Sequence, residues 1–155
     1  MQQMLLAVGK WIAAGYLVQA VLWDIRKRVV PVWLIRLVLL CAVVLRSVDT
    51  VMGISDVGDI PSKLTGLFGA ALPGLFLLAV GYLTREAVGY ADGWSVLLLG
   101  LLMGSQAAVC IMMTAFLFSA LYALWLIIGR RADKDMRFPF LPHISAGFIV
   151  WLMVL

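Results

Sequence analysis

An all-α, polytopic membrane protein of six transmembrane helices is the fold class that this sequence predicts, and three observations predict it. Hydrophobic residues make up 65% of the 155 residues and charged residues only 13%, where soluble domains carry roughly 45–50% and about 25%. The mean hydropathy is +1.08. Runs close to 20 residues long with almost no charge recur along the chain, which is the length an α-helix needs to cross a hydrocarbon core of about 30 Å. This composition excludes a disordered chain, a water-soluble monomer and a nucleic-acid-binding tail. The bilayer is therefore the expected surrounding, with no nucleic acid among the partners and a single domain spanning 1–155. The net charge of +4 becomes a signal of topology.

The first apolar run, residues 4–23, is interrupted only by Lys10 and stops at Asp24-Ile25-Arg26-Lys27-Arg28, a cluster that cannot lie in hydrocarbon. No basic stretch precedes the run and no small-residue cleavage site follows it, so it is expected to be retained as a span. Pro31 stands where a helix can begin without losing a needed N–H, and the second span is expected over 30–48. Residues 49–63 hold three aspartates and Gly53, Gly58 and Pro61, which reads as a loop in water. A third, wholly uncharged span covers 64–83.

After a polar segment, 84–92, residues 93–128 run for 36 positions without a formal charge. A hairpin turning at Gly104-Ser105-Gln106 divides them into one short helix and one full-length helix. Residues 129–137 are strongly basic, and 138–155 form the last span. Short loops rich in Lys and Arg stay in the cytoplasm, and this decides the number of crossings. If 93–128 crosses twice, Arg26, Lys27, Arg28, Arg85, Arg130, Arg131, Lys134 and Arg137 all fall on one side. Those are eight of the twelve basic residues. Six helices with both termini outside follow, the short fourth one accommodated by local thinning of the bilayer or by burial among its neighbours.

This topology puts Asp24, at the end of the first helix, and Asp92, at the start of the fourth, at the same cytoplasmic membrane edge. Carboxylates there are costly unless something uses them. Two of them within a few ångströms share one proton: the ionised member can take a proton from water while the protonated one hydrogen-bonds a peptide carbonyl. A plainer reading stays open at this point, in which each is a helix-end residue and Asp92 caps a helix starting at Gly93.

Three motifs carry a resemblance. Asp24 is followed by a basic run and by Pro31 seven positions on; Glu86-Ala87-Val88-Gly89-Tyr90-Ala91-Asp92 has Glu, Gly and Asp at spaced positions; and Pro139-Phe140-Leu141-Pro142 precedes Gly147. In this order, each at an expected cytoplasmic boundary, they make the chain similar to the prepilin peptidases, intramembrane aspartic proteases of the GxGD type. The resemblance implies a GxGD-protease-like bundle with Asp24 and Asp92 as catalytic residues. It also implies an active-site loop of Gly89, Tyr90, Ala91 and Gly93, and structural motif positions at Pro31, Glu86, Pro139, Phe140 and Pro142.

The implied activity is aspartic endopeptidase cleavage of the basic leader of type IV prepilins or pseudopilins at the cytoplasmic face of the cell membrane, in pilus assembly or protein secretion. Water would be the nucleophile, with no metal and no organic cofactor. Ala91 replaces the usual second glycine, Gly93-Trp94-Ser95 a more usual lysine-containing stretch, Val32 a common Asn or Asp and Leu141 a common glycine, which bears on substrate preference. The connection between Arg26 and Val30 is too short for the Cys-x-x-Cys insertion of larger members, implying a short form without the methyltransferase function. Two rivals are a small carboxylate-dependent transporter, which predicts aspartates near the midplane, and an inactive assembly protein that keeps the fold.

Other polar residues read as structural. Lys10 and Arg46 are expected to snorkel outward, and Arg36 toward the nearer edge. His143, the single histidine, offers packing or interfacial hydrogen bonding. Cys41 and Cys110 lie in apolar runs without metal-site spacing.

Overall fold

The computed structural model describes residues 2–27, 29–52, 59–84, 89–129 and 140–154. Among them are six α-helices and no strand: α1 Gln2–Lys27, α2 Val32–Met52, α3 Asp59–Leu83, α4 Tyr90–Met103, α5 Ser105–Ile128 and α6 Leu141–Val154. Stretches within α1, α3 and α5 are long and apolar enough to cross a membrane, and α4 and α6 are shorter apolar helices. The protein is an all-helical membrane bundle.

Several boundaries differ from those the hydropathy predicts. α1 continues a turn past Asp24, because Arg26 and Lys27 are good helix formers and suit the negative end of a helix. α2 runs on to Met52 and α3 begins at Asp59, so much of the expected 49–63 loop is helix; residues 53–58 lie outside the described set. Pro61 sits in the first turn of α3, where a missing N–H costs nothing. Polarity marked where the lipid ends, not where the helix ends. Similarly, α4 begins at Tyr90, before Gly93. The α4–α5 hairpin forms as expected, but with a single linking residue: Gly104 has φ +98°, a conformation open to glycine.

α4 is the centre of the bundle and touches all five other helices, which surround it in the order α2, α1, α6, α5, α3. Its 14 residues span only about 21 Å, short of a full crossing. Nine of them are buried, so the short helix is accommodated by its neighbours. Backbones come close at glycines, as they do where small residues line a membrane-helix seam. A Cβ on Gly100 would fall on the Ala70 carbonyl, and one on Gly74 on the Leu97 backbone, so α3 and α4 lie nearly in backbone contact. On the far side of the bundle, a Cβ on Gly147 of α6 would stand 2.6 Å from Thr114 Oγ1 of α5.

The seam between α1 and α4 is antiparallel and sets the register of the site. Gly9 lies against Leu102, where an added Cβ would be 2.8 Å from the carbonyl oxygen. Seven residues further along α1, Tyr16 meets Ser95, seven residues back along α4. The end of the bundle near Gly9 is polar in an unexpected way. Arg46 has specific partners at this end: its Nε–H donates to the Leu101 carbonyl near the end of α4, and its guanidinium lies 3.4 Å from Asp49. A cavity of about 250 Å³ opens beside this pair, walled by Leu5, Leu45 and Leu102. Lys10 places its Nζ 5.2 Å from the centre of the Trp151 ring, near the end of α6.

Candidate active site

Continuing the α1–α4 register brings Asp24, two turns beyond Tyr16, level with the approach to α4. Helical side chains lean toward the N-terminus of their own helix. In an antiparallel pair, Asp24 on α1 and Asp92 on α4 therefore lean toward each other. Both are half-buried, and the charge of Asp24 acts on Asp92.

Asp92 occupies the third position of α4, after Gly89 at the N-cap. Its backbone N–H donates to the Gly89 carbonyl at 3.0 Å. The Gly89 N–H in turn donates to the Asp92 carboxylate. This is one half of a capping box, the N3 side chain accepting the N-cap N–H, with aspartate in place of the usual glutamate and a backbone carbonyl in place of the cap's side chain. The plainer sequence reading, Asp92 as the cap of a helix starting at Gly93, is corrected here. The glycine matters for room: its φ of −63° and ψ of 133° suit any residue, but a Cβ would lie 2.9 Å from Asp92 Oδ2.

Asp92 lies ahead of the uncharged stretch that begins at Gly93, at the edge of the bundle. Burial pushes its carboxyl up to about 7, the neighbouring Asp24 charge adds to this, and the Gly89 N–H partly opposes both. A carboxyl in this setting holds a proton near neutral pH, which ordinary carboxylates do not.

The neighbouring motif residues serve the same turn. Gly93 lets α4 approach α3, since a Cβ there would stand 2.8 Å from the Leu78 side chain and 3.1 Å from its backbone nitrogen. Ala91 is half-buried against the core, and its carbonyl accepts the Ser95 hydroxyl at 2.7 Å. Tyr90, at the first position of α4, is 40% exposed. Pro31 ends the connection between α1 and α2, and its carbonyl accepts the Leu34 N–H at 3.1 Å.

The third motif is placed elsewhere. The Phe140 carbonyl accepts the His143 and Ile144 N–H groups in the first turn of α6, and its ring lies 5.3 Å from that of Phe116 and 6.2 Å from that of His143. The Pro142 carbonyl accepts the Ser145 hydroxyl. Phe140 works at the α5–α6 seam, where His143 packs among aromatic rings. Glu86 and Pro139 lie outside the described residues. Two residues that the sequence reading passed over, Tyr16 and Ser95, form a buried hydrogen bond between α1 and α4 below the carboxylates. Their one signal was a tyrosine two helical turns from Asp24 and a serine one turn from Asp92.

With this geometry in view, the chain matches the type IV leader peptidase family over residues 11–124, a stretch that contains both carboxylates and the whole of α4. The chain belongs to that family. It is also 30% identical over 94 residues to a Bacillus subtilis (strain 168) protein named prepilin leader peptidase/N-methyltransferase. The aligned part is 61% of this chain and 38% of that relative, so this leader peptidase family member spans well under half the length of the relative it matches. No solved structure matches the chain.

Proposed function

We propose that this protein is a membrane-embedded aspartic endopeptidase that removes the basic leader of type IV prepilins or pseudopilins, with Asp24 and Asp92 as its catalytic pair. The observation that carries the reading is the convergence of the two carboxylates at one end of the α1–α4 seam, close enough for one charge to raise the other's proton affinity. Family membership and the relative's name support a prepilin as substrate.

One shared proton gives the pair both functions that peptide hydrolysis needs. The ionised carboxylate takes a proton from water as the oxygen attacks the scissile carbonyl, and the protonated one donates to the developing oxyanion. The pair titrates as a unit, so acid and base are roles of the pair. By the positive-inside rule, the basic connections of the sequence support a cytoplasmic face for the pair, with both termini outside. Gly89 and the first turn of α4, Tyr90 and Ala91, form the edge against which the cleaved strand lies; the active-site loop expected from the resemblance is thus mostly helix, and Gly93 is buried in it against α3. Glu86 and Pro139 join Pro31, Phe140 and Pro142 as structural positions.

The test is cleavage of a co-expressed prepilin, read as a mobility shift. The unaltered chain is expected to cleave, and Asp24→Asn and Asp92→Asn are each expected to abolish cleavage while still assembling in the membrane. Cleavage that survives either substitution would remove the pair from the chemistry, and no cleavage by the unaltered chain of any prepilin offered would remove the function.

A further inference from the structure

Ser95 is 0% exposed and lies one turn into α4 from Asp92; Tyr16 is 2% exposed and lies two turns before Asp24 on α1. Their oxygens are 2.7 Å apart. The direction of the bond follows from counting protons. Ser95 has one hydroxyl hydrogen, and the Ala91 carbonyl, 2.7 Å away, can only accept it. Tyr16 therefore donates to Ser95, and Ser95 donates to Ala91. The chain of bonds runs from the middle of α1 to the peptide group joining Ala91 to Asp92.

The surroundings of this chain are apolar. The same face of α1 presents Ala13, Leu17 and Ala20, and the next residues of α4 are Val96, Leu97, Leu98 and Leu99. Apolar packing alone would join these helices, and a buried hydroxyl is costly unless it is satisfied. A directed hydrogen bond adds what packing lacks: it fixes the rotation of α4 about its axis as well as its height against α1. Rotation of α4 decides whether Asp92 faces Asp24.

We propose that Tyr16 and Ser95 are positioning residues for the carboxylate pair, holding the first turn of α4 against α1 through the Ala91 carbonyl. The proposal rests on the reading of Asp24 and Asp92 as the peptidase pair. Neither hydroxyl touches the scissile bond.

The test uses the full chain in lipid nanodiscs with two readouts, hydrogen exchange of the amides of residues 89–95 and steady-state cleavage of a prepilin. Tyr16→Phe and Ser95→Ala are each expected to raise exchange in the first turn of α4. Each is expected to lower kcat on the order of tenfold, as misplacement of a reacting group does, with KM within about twofold. The double variant is expected to lose no more than the worse single one, since both break one chain. Leu98→Ala, equally buried in α4 but without a side-chain hydrogen bond, is expected to lower thermal stability and leave kcat unchanged.

Unchanged exchange and kcat in both single variants would overturn the proposal, as would losses that multiply in the double variant or fall on KM. If one variant fails to assemble, the other decides. The exchange readout needs no substrate. A chain that cleaves nothing therefore sinks the peptidase reading alone, whereas cleavage lost in Asp92→Asn but intact in both hydroxyl variants sinks the positioning role alone.

Discussion

The carboxylate of Asp92 occupies the space that a side chain on Gly89 would fill, and it accepts the Gly89 N–H there. Gly89→Ala is therefore predicted to displace the carboxylate rather than the backbone. Cleavage should fall by one to two orders of magnitude, the penalty of roughly an ångström of misplacement, while the bundle stays folded. Steady-state kinetics beside a thermal unfolding curve separate the two effects; a large drop in melting temperature with activity preserved would contradict the account.

A pH dependence follows from the same group. Asp92 is raised from its ordinary 3.8 to about 7, so the folded bundle holds this proton more tightly than the unfolded chain does. The resulting stabilisation is complete below about pH 4 and is lost as pH rises to about 7. Thermal unfolding in detergent should therefore show stability falling across this window, with Asp92→Asn flattening the slope. If Asp24 and Asp92 act as the proposed pair, cleavage should also decline as pH rises through about 7, where the shared proton is lost. Stability independent of pH between 4 and 7 would be incompatible with a buried, protonated Asp92.

The glycines of the bundle divide by what surrounds them. A Cβ on Gly100 meets the backbone carbonyl of Ala70, which cannot move aside without shifting α3, whereas one on Gly15 meets nothing within 4 Å. Gly100→Ala is predicted to cost about 1–3 kcal/mol. Gly15→Ala is predicted to be neutral or to stabilise by up to about 1 kcal/mol through helix propensity. Melting temperatures of the two variants should move in opposite directions or differ widely, and equal shifts would mean that α3 and α4 are not in backbone contact.

At the opposite end, Arg46 holds the Leu101 carbonyl close to the point where the chain turns back at Gly104. A cation at a helix C-terminus stabilises by about 0.3–1 kcal/mol when exposed and up to about 2 kcal/mol when partly buried. Arg46→Ala should lower the unfolding temperature by an amount in that range and leave cleavage kinetics alone, since the site is a full helix length away. A change in kcat would link the two ends of α4.

Much of the architecture was legible because lipid imposes one rule: uncharged stretches of sufficient length become helices. The division of 93–128 into a short and a long helix, and the placing of Asp24 and Asp92 at one end, followed from length and charge alone. Boundaries were legible only where polarity and helix ends coincide. They part at Lys27, Met52 and Asp59, because a helix continues into the polar edge for as long as its residues favour it. The partners of Arg46 and Lys10, a carbonyl and an aromatic ring, were not legible, because a charged side chain on a bare helix shows only the edge it leans toward. The capping role of Gly89 and the bond between Tyr16 and Ser95 depend on contacts whose geometry no spacing in the chain announces.

The bond between α1 and α4 joins residues 79 positions apart, and this orders events during synthesis. Asp24 leaves the ribosome with the first helix, while its counterpart arrives only after two further helices have entered the bilayer. A nascent chain cut short before α4 carries one carboxylate of the proposed pair and nothing for it to share a proton with. Maturation of the pair is thereby tied to insertion of the helix on which the others lean.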